Sequence, residues 1–199
     1  MIPIGVLEPL LPLIHAFARL GIEYQIGGSV ASSFWGLARS TRDADIVADI
    51  QHHHVAPLVA ELQGQYYIDD QMIRDAIRHC TSFNVVYLET MFKVDVFTRT
   101  RTAFDDATFQ RARHQVLPGA HNEEVVLTSP EDILLHKLVW YREGNEVSER
   151  QWLDVLGLIK ALGTRLDVGY SREWADRLGV LDLLDRADQA AGAEPQHPE

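Results

Sequence analysis

Ile22-Glu23-Tyr24-Gln25-Ile26-Gly27-Gly28-Ser29-Val30, followed a few residues later by Arg39-Ser40-Thr41-Arg42-Asp43-Ala44-Asp45-Ile46-Val47-Ala48, is the stretch on which the fold turns. Ile22 to Ile26 reads as a short strand. Gly27-Gly28-Ser29 reads as a tight turn, with Ser29 placed to cap the helix that follows. Val30, Phe34 and Leu37 fall at i, i+4 and i+7, the spacing of one helical face. From Asp43 to Ile50 the period changes to two. Ala44, Ile46, Ala48 and Ile50 share one face, and Asp43, Asp45, Val47 and Asp49 share the other.

The same stretch carries the first chemical signal. Residues i and i+2 of a strand point the same way, about 6–7 Å apart, so Asp43 and Asp45 repel unless something positive stands between them. A divalent cation meets that need, and hard oxygen donors suit Mg²⁺, with Mn²⁺ as a substitute. The plain alternative is an exposed edge whose acids face water. In the Gly-Gly-Ser turn, glycine lets the backbone approach a ligand, and the helix N-terminus behind it favours phosphate.

Working outward, Lys93-Val94-Asp95-Val96-Phe97 is a second strand with one acid between valines. If it neighbours the first, Asp95 completes a three-carboxylate cluster; otherwise it faces solvent or pairs with Lys93. Phe83 to Leu88 and Phe92 to Phe97 make a hairpin across Glu89-Thr90. Leu7 to Leu20 forms an amphipathic first helix ended by Gly21, and His52 to Leu62 a further helix. Thr100 to Asn122 is a polar stretch, and Val125 to Leu127 a last short strand. Ser129-Pro130-Glu131-Asp132 is a strong helix start, a second helix runs over 148–162, and shorter ones follow to about Ala190.

These elements predict an α+β fold: a mixed β-sheet flanked by helices over 1–127, a helical C-terminal part over 128–190, and a disordered tail over 191–199. The 199 residues are 46% hydrophobic and 24% charged, as expected for a globular chain. The formal net charge of -11 argues against a protein that coats nucleic acid, though not against a local basic patch. No apolar stretch reads as a signal peptide or membrane span. With the single cysteine, Cys80, this places the protein in the cytoplasm.

The turn Gly27-Gly28-Ser29 with the strand Asp43-Ala44-Asp45 resembles the signature of the DNA polymerase β-like nucleotidyltransferase superfamily. The Arg-x-Thr-x-Asp-x-Asp form, together with the later Ser129 to Lys137 run, is more similar to its AbiEii-like branch. The resemblance covers roughly Ile22 to Asp154. It implies a Mg²⁺-dependent enzyme that moves a nucleoside monophosphate from a nucleoside triphosphate to a hydroxyl. Asp43, Asp45 and Asp95 would be the catalytic, metal-binding acids. Gly27, Gly28, Ser29, Arg39, Thr41, Arg42 and Lys137 would attend the nucleotide, and Arg150 and Asp154 have no assigned role. The acceptor would be tRNA, a protein side chain or a small hydroxylated molecule. Some members of the branch are toxins of toxin–antitoxin pairs, which makes an antitoxin protein a candidate partner. The alternative is a non-catalytic nucleotide-sensing or partner-binding module.

Other features read more plainly. Consecutive residues His52-His53-His54 do not converge on one ion and belong to a solvated loop. Arg99, Arg101, Arg111, Arg113 and His114 form either a solvated surface or an acceptor-binding patch. Trp140, Tyr141 and Trp152 read as core packing.

Overall fold

The computed structural model describes residues 4–36, 43–116 and 123–193. These residues fall into two compact units, those within Met1–Ala31 and Arg39–Thr128 and those within Ser32–Ala38 and Ser129–Glu199.

The first unit is built on a mixed sheet. Its strands are β1 (Tyr24–Ile26), β2 (Asp43–Ala48), β3 (Tyr66–Tyr67), β4 (Ser82–Tyr87), β5 (Phe92–Thr98), β6 (Arg113–Val116) and β7 (Glu124–Leu127). They lie in the order β3-β4-β5-β2-β1-β7-β6. β2 runs parallel to β5 and antiparallel to β1, β4 is antiparallel to β5, and β1 is parallel to β7.

The alternation read in the sequence sets the two faces of this sheet. Ala44, Ile46 and Ala48 are fully buried, as are Val85, Val94 and Val96 on the neighbouring strands. The helices α2 (Leu11–Leu20), α4 (Val55–Leu62) and α5 (Asp70–His79) pack together, with α5 against β4 and β5. They bring Leu13, Phe17, Leu58 and Ile73 into the core. Each has a local reason to start or stop. Gly21 closes α2 in the left-handed conformation, and the Asp69 carboxylate caps α5 by accepting from the Met72 N–H at 2.7 Å.

Several boundaries differ from expectation. The first helix divides at Glu8-Pro9-Leu10 into α1 (Ile4–Leu7) and α2, because Pro9 and Pro12 cannot donate within a continuous helix. Helix α3 (Gly28–Trp35) begins at Gly28, so Ser29 lies in its first turn rather than capping it from outside. The polar stretch after Thr100 holds α6 (Ala103–Arg111) and β6. The Thr102 hydroxyl caps α6 by accepting from the Asp105 N–H. α5 and the two-residue β3 were not expected at all.

The second unit is helical, with α7 (Pro130–Glu143), α8 (Glu149–Leu162), α9 (Val168–Arg177) and α10 (Leu181–Ala193). Ser129 caps α7 with Pro130 at its first turn, and Ser148 caps α8. The buried Asp132 carboxylate accepts from the Ser129 hydroxyl at 2.5 Å and from the Tyr170 hydroxyl at 2.6 Å, tying α9 to α7. Tyr141 and Trp152 stack within this unit, ring centres 5.3 Å apart. Of the expected disordered tail, residues 191–193 belong to α10 and 194–199 lie outside the described residues. Among the described residues, no helix is long and apolar enough to cross a membrane.

Candidate active site

The three acids meet through sheet register. On the parallel pair β2 and β5, Asp43 stands opposite Lys93 and Asp45 opposite Asp95. Opposed residues share a face, and adjacent strands are about 4.8 Å apart. Asp43, Asp45, Lys93 and Asp95 therefore form a two-by-two block on the face away from the helical core. Asp45, Lys93 and Asp95 lie between buried neighbours on their strands, Asp43 opens β2 before buried Ala44, and all four are half-buried. This is the face that the i, i+2 spacing of Asp43 and Asp45 had marked.

Lys93 occupies the place where a positive charge is needed. Its ammonium lies 2.7 Å from Asp95 Oδ2. That hydrogen bond, chiefly, raises the Lys93 pKa, partial burial opposes it, and the charges of Asp95, Asp43 and Asp45 add to the rise. Both alternatives weighed for Asp95 are thus realised, a local pair with Lys93 and a place beside Asp45. Among the described residues, no three His, Cys, Asp or Glu side chains converge as a ready ligand cage.

The glycine turn closes on the acids from one side. The Gly27 N–H donates to the Asp45 carbonyl at 2.8 Å. Gly28 has φ +52°, and a Cβ there would fall 1.7 Å from Asp45 Oδ2. Only glycine tolerates both that conformation and that contact. Ser29 follows, buried, in the first turn of α3.

Four expected site residues are not among the described residues of the sheet unit. Arg39, Thr41 and Arg42 lie outside the described residues. Lys137 is on α7 in the helical unit, buried, with its ammonium 2.8 Å from Asp154 Oδ2. Asp154, to which the sequence assigned no role, is thus the counter-charge of Lys137; Arg150 is exposed on α8.

Two members of the arginine cluster, Arg99 and Arg101, belong to a structural network. Arg99 is 2.7 Å from Asp106, 3.3 Å from Glu23 and 3.6 Å from Asp49, and its guanidinium lies over the Phe109 ring. Arg101 pairs with Asp49 at 2.7 Å. The Arg99 N–H donates to the Ala48 carbonyl, at the opposite end of β2 from Asp43 and about 17 Å away along the strand. A cavity of about 570 Å³ between Ile22, Tyr24, Phe109 and Val126 also contains none of the three acids. The histidine run is a short 3₁₀ turn in which His54 Nδ1 accepts from the Gln51 N–H.

The mixed sheet and its helices make a fold also found in nucleotidyltransferase-like proteins. The chain shares that fold with an antigenic nucleotidyltransferase-like protein from Paracoccidioides brasiliensis, at 18% identity, 92% coverage of both chains and a TM-score of 0.53. It shares it as well with the antibiotic-resistance factor ANT(2'')-Ia, at 15% identity, 94% coverage of both chains and a TM-score of 0.51. No family model and no curated protein matches the chain.

Proposed function

We propose that this protein is a nucleotidyltransferase that moves a nucleoside monophosphate from a nucleoside triphosphate to a hydroxyl and releases pyrophosphate. The observation that carries the reading is the register of β2 against β5, with Asp45 beside Asp95 and Asp43 two residues away on the same face. The Gly28 position, where the Asp45 carboxylate fills the space of a Cβ, supports it by holding the turn against the acids. The fold shared with nucleotidyltransferase-like proteins supports it further. On this reading the sheet unit, in residues 1–127, carries the chemistry, and residues 128–190 form the helical subdomain.

Hard carboxylate oxygens on one sheet face suit Mg²⁺ or Mn²⁺, and Asp43, Asp45 and Asp95, brought together by side-chain rotation, would hold it. Bound there, the metal would offset charge on the triphosphate and make the attacking hydroxyl more acidic. Gly28 and Ser29 offer backbone N–H groups at a helix start to the phosphates, Gly27 ties the turn to Asp45 through its own N–H, and Arg39, Thr41, Arg42 and Lys137 are further candidates for holding the phosphates. The acceptor oxygen forms a bond to the α-phosphorus as the bond to the β-phosphate oxygen breaks. The hydroxyl proton passes to Asp95, whose bond to Lys93 has to open or shift for that purpose.

A small hydroxylated acceptor is favoured over tRNA or a protein. Of the arginines that would grip a polyanion, Arg99 and Arg101 are committed to Asp49, Asp106 and Glu23, and the neighbour ANT(2'')-Ia is an antibiotic-resistance factor. A toxin of the AbiEii-like kind, with an antitoxin partner, rests on the sequence resemblance alone. The second reading, a non-catalytic nucleotide-sensing or partner-binding module, draws on the Lys93–Asp95 pair, which gives the acids an internal counter-charge.

The test is transfer of label. Purified protein, Mg²⁺ and each α-³²P nucleoside triphosphate are incubated with hydroxylated antibiotics, total tRNA or a protein extract, beside Asp43→Asn/Asp45→Asn. Label in one acceptor pool, lost in the double variant, supports the enzyme. Mg²⁺-dependent nucleotide binding with no transfer to any pool supports the sensing module.

A further inference from the structure

We propose that the solvent face of β4, with Tyr67 of β3 beside it, is the acceptor subsite, and that it receives a small hydroxylated ring on uncharged contacts. The proposal rests on the nucleotidyl-transfer reading above and names where its acceptor lies.

Two register rows carry the argument. Asn84 stands opposite Asp95, which stands opposite Asp45. One step along the strands, Tyr67 stands opposite Val86, Val86 opposite Lys93, and Lys93 opposite Asp43. Opposed side chains share a face and are near neighbours, so the acid block continues without interruption onto β4 and β3. Asn84 stands on the strand next to Asp95, whose carboxylate takes the hydroxyl proton, with the two backbones about 4.8 Å apart.

The burial pattern fixes the direction of these side chains. Phe83, Val85, Tyr87 and Tyr66 are in the core. Their alternates Asn84 and Val86 are exposed and half-buried, and Tyr67 is 58% exposed. Leu88 and Met91, in the turn beyond, are 48% and 70% exposed. Apolar side chains gathered on the open face of a sheet margin mark a binding surface or a liability. Here the patch adjoins the only three acids that share a strand block among the described residues.

The chemistry of the patch selects its occupant. The Asn84 amide makes no hydrogen bond among the described residues. It offers two donors and an acceptor, which matches ring hydroxyls that also donate and accept. The Tyr67 ring and Val86 offer an apolar surface to the C–H face of a ring. No arginine stands in either row, so a phosphate backbone would find little to neutralise it.

The test uses the full chain with ¹³C-labelled methyl groups, so that Val86, Leu88 and Met91 report directly. Mg²⁺ with α,β-methylene nucleoside triphosphates is added first, then lincomycin, tobramycin or cytidine, with total tRNA as a contrast. The expected result is saturable movement of these methyls by at least one ring compound and not by nucleotide alone. Asn84→Ala then raises the half-saturating concentration about five- to tenfold, the loss of about one hydrogen bond, while nucleotide affinity holds. The proposal is overturned if no ring compound moves these methyls, if Asn84→Ala binds as wild type, or if tRNA or self-association moves them instead. Failure of the nucleotide analogues to bind would count against nucleotidyl transfer itself, a result distinguishable from a silent patch.

Discussion

Replacing Gly28 with alanine tests whether the turn and the acid block are one device. At φ +52° an L-residue loses about 1–2 kcal/mol. The new Cβ would also fall 1.7 Å from Asp45 Oδ2 and 2.6 Å from its Cγ. Ordinary separation is about 3.5 Å or more, so the carboxylate has to recede by about 2 Å or the turn has to lift. Turning Asp45 away from its rotamer adds about 0.5–1.5 kcal/mol, for a total of about 2–3 kcal/mol. Gly21→Ala is the matched control, with φ +69° and open space where the Cβ would stand. It meets the backbone penalty without the collision. Urea unfolding of both variants gives the stability difference, and calorimetry with Mg²⁺ and nucleotide analogues gives the functional one. A reacting group displaced by an ångström loses about a hundredfold in rate, so Gly28→Ala should lose at least that much transfer while Gly21→Ala keeps nearly all. Equal stability losses with full nucleotide binding in Gly28→Ala would refute the coupling.

Three further outcomes follow from the structure. Lys93→Met removes the ammonium paired with Asp95, lowering stability by about 1 kcal/mol, or about 2–4 °C in Tm; Mg²⁺ should restore more of that loss than it adds to wild type, and equal Mg²⁺ effects in thermal melts would contradict it. Burial, chiefly, with a smaller push from Glu124, moves the Tyr24 pKa from 10.0 to about 12 against a hydrogen bond from Val126. The folded state therefore keeps the proton that the unfolded chain loses, so Tyr24's contribution is whole below pH 10 and falls by about 1.4 kcal/mol per pH unit up to about pH 12; Tyr24→Phe should flatten that decline in alkaline denaturant titrations. Lys137→Met removes the ammonium 2.8 Å from the half-buried Asp154 and costs about 3 kcal/mol, more than half of it recovered in Lys137→Met/Asp154→Leu; unchanged stability with weakened nucleotide binding would return Lys137 to the phosphates.

What could be read in the sequence was whatever a short period or a local signal encodes. The alternation from Asp43 to Ile50 placed the acids and the apolar residues on opposite faces, as β2 has them. Ser129-Pro130 and Ser148 marked two helix starts because a cap is a contact over three residues. β3 was out of reach because two tyrosines carry no period, and Tyr66 is held by a long-range bond, its hydroxyl donating to the Pro9 carbonyl at 2.6 Å. α6 was hidden because its residues are polar on nearly every side; only Phe104 and Thr108 are buried. The pairing of Asp45 with Asp95 depends on a crossover between strands fifty residues apart, so the sequence could state it only as a condition. Asn84 carried no local signal, since its meaning lies wholly in the strand opposite.

The charge balance gains a different sense once the pairs are placed. A net charge of -11 could have hidden one basic patch able to hold RNA, and the arginines after β5 were the candidate. Arg99 alone is set among Glu23, Asp49 and Asp106, while Arg101 takes the other side of Asp49. An RNA phosphate would have to compete with carboxylates that the fold already holds in place, and it would do so about 17 Å along β2 from Asp43. Within the acid block itself, Lys93 is held by Asp95. On the proposed reading, a nucleoside triphosphate would arrive with a metal ion, whose positive charge three carboxylates could hold. A metal-free polyanion brings none, and the uncharged face of β4 gives it no compensation. The electrostatics therefore favour an acceptor that enters without phosphate, and salt should change its KM far less than it changes the KM for nucleotide.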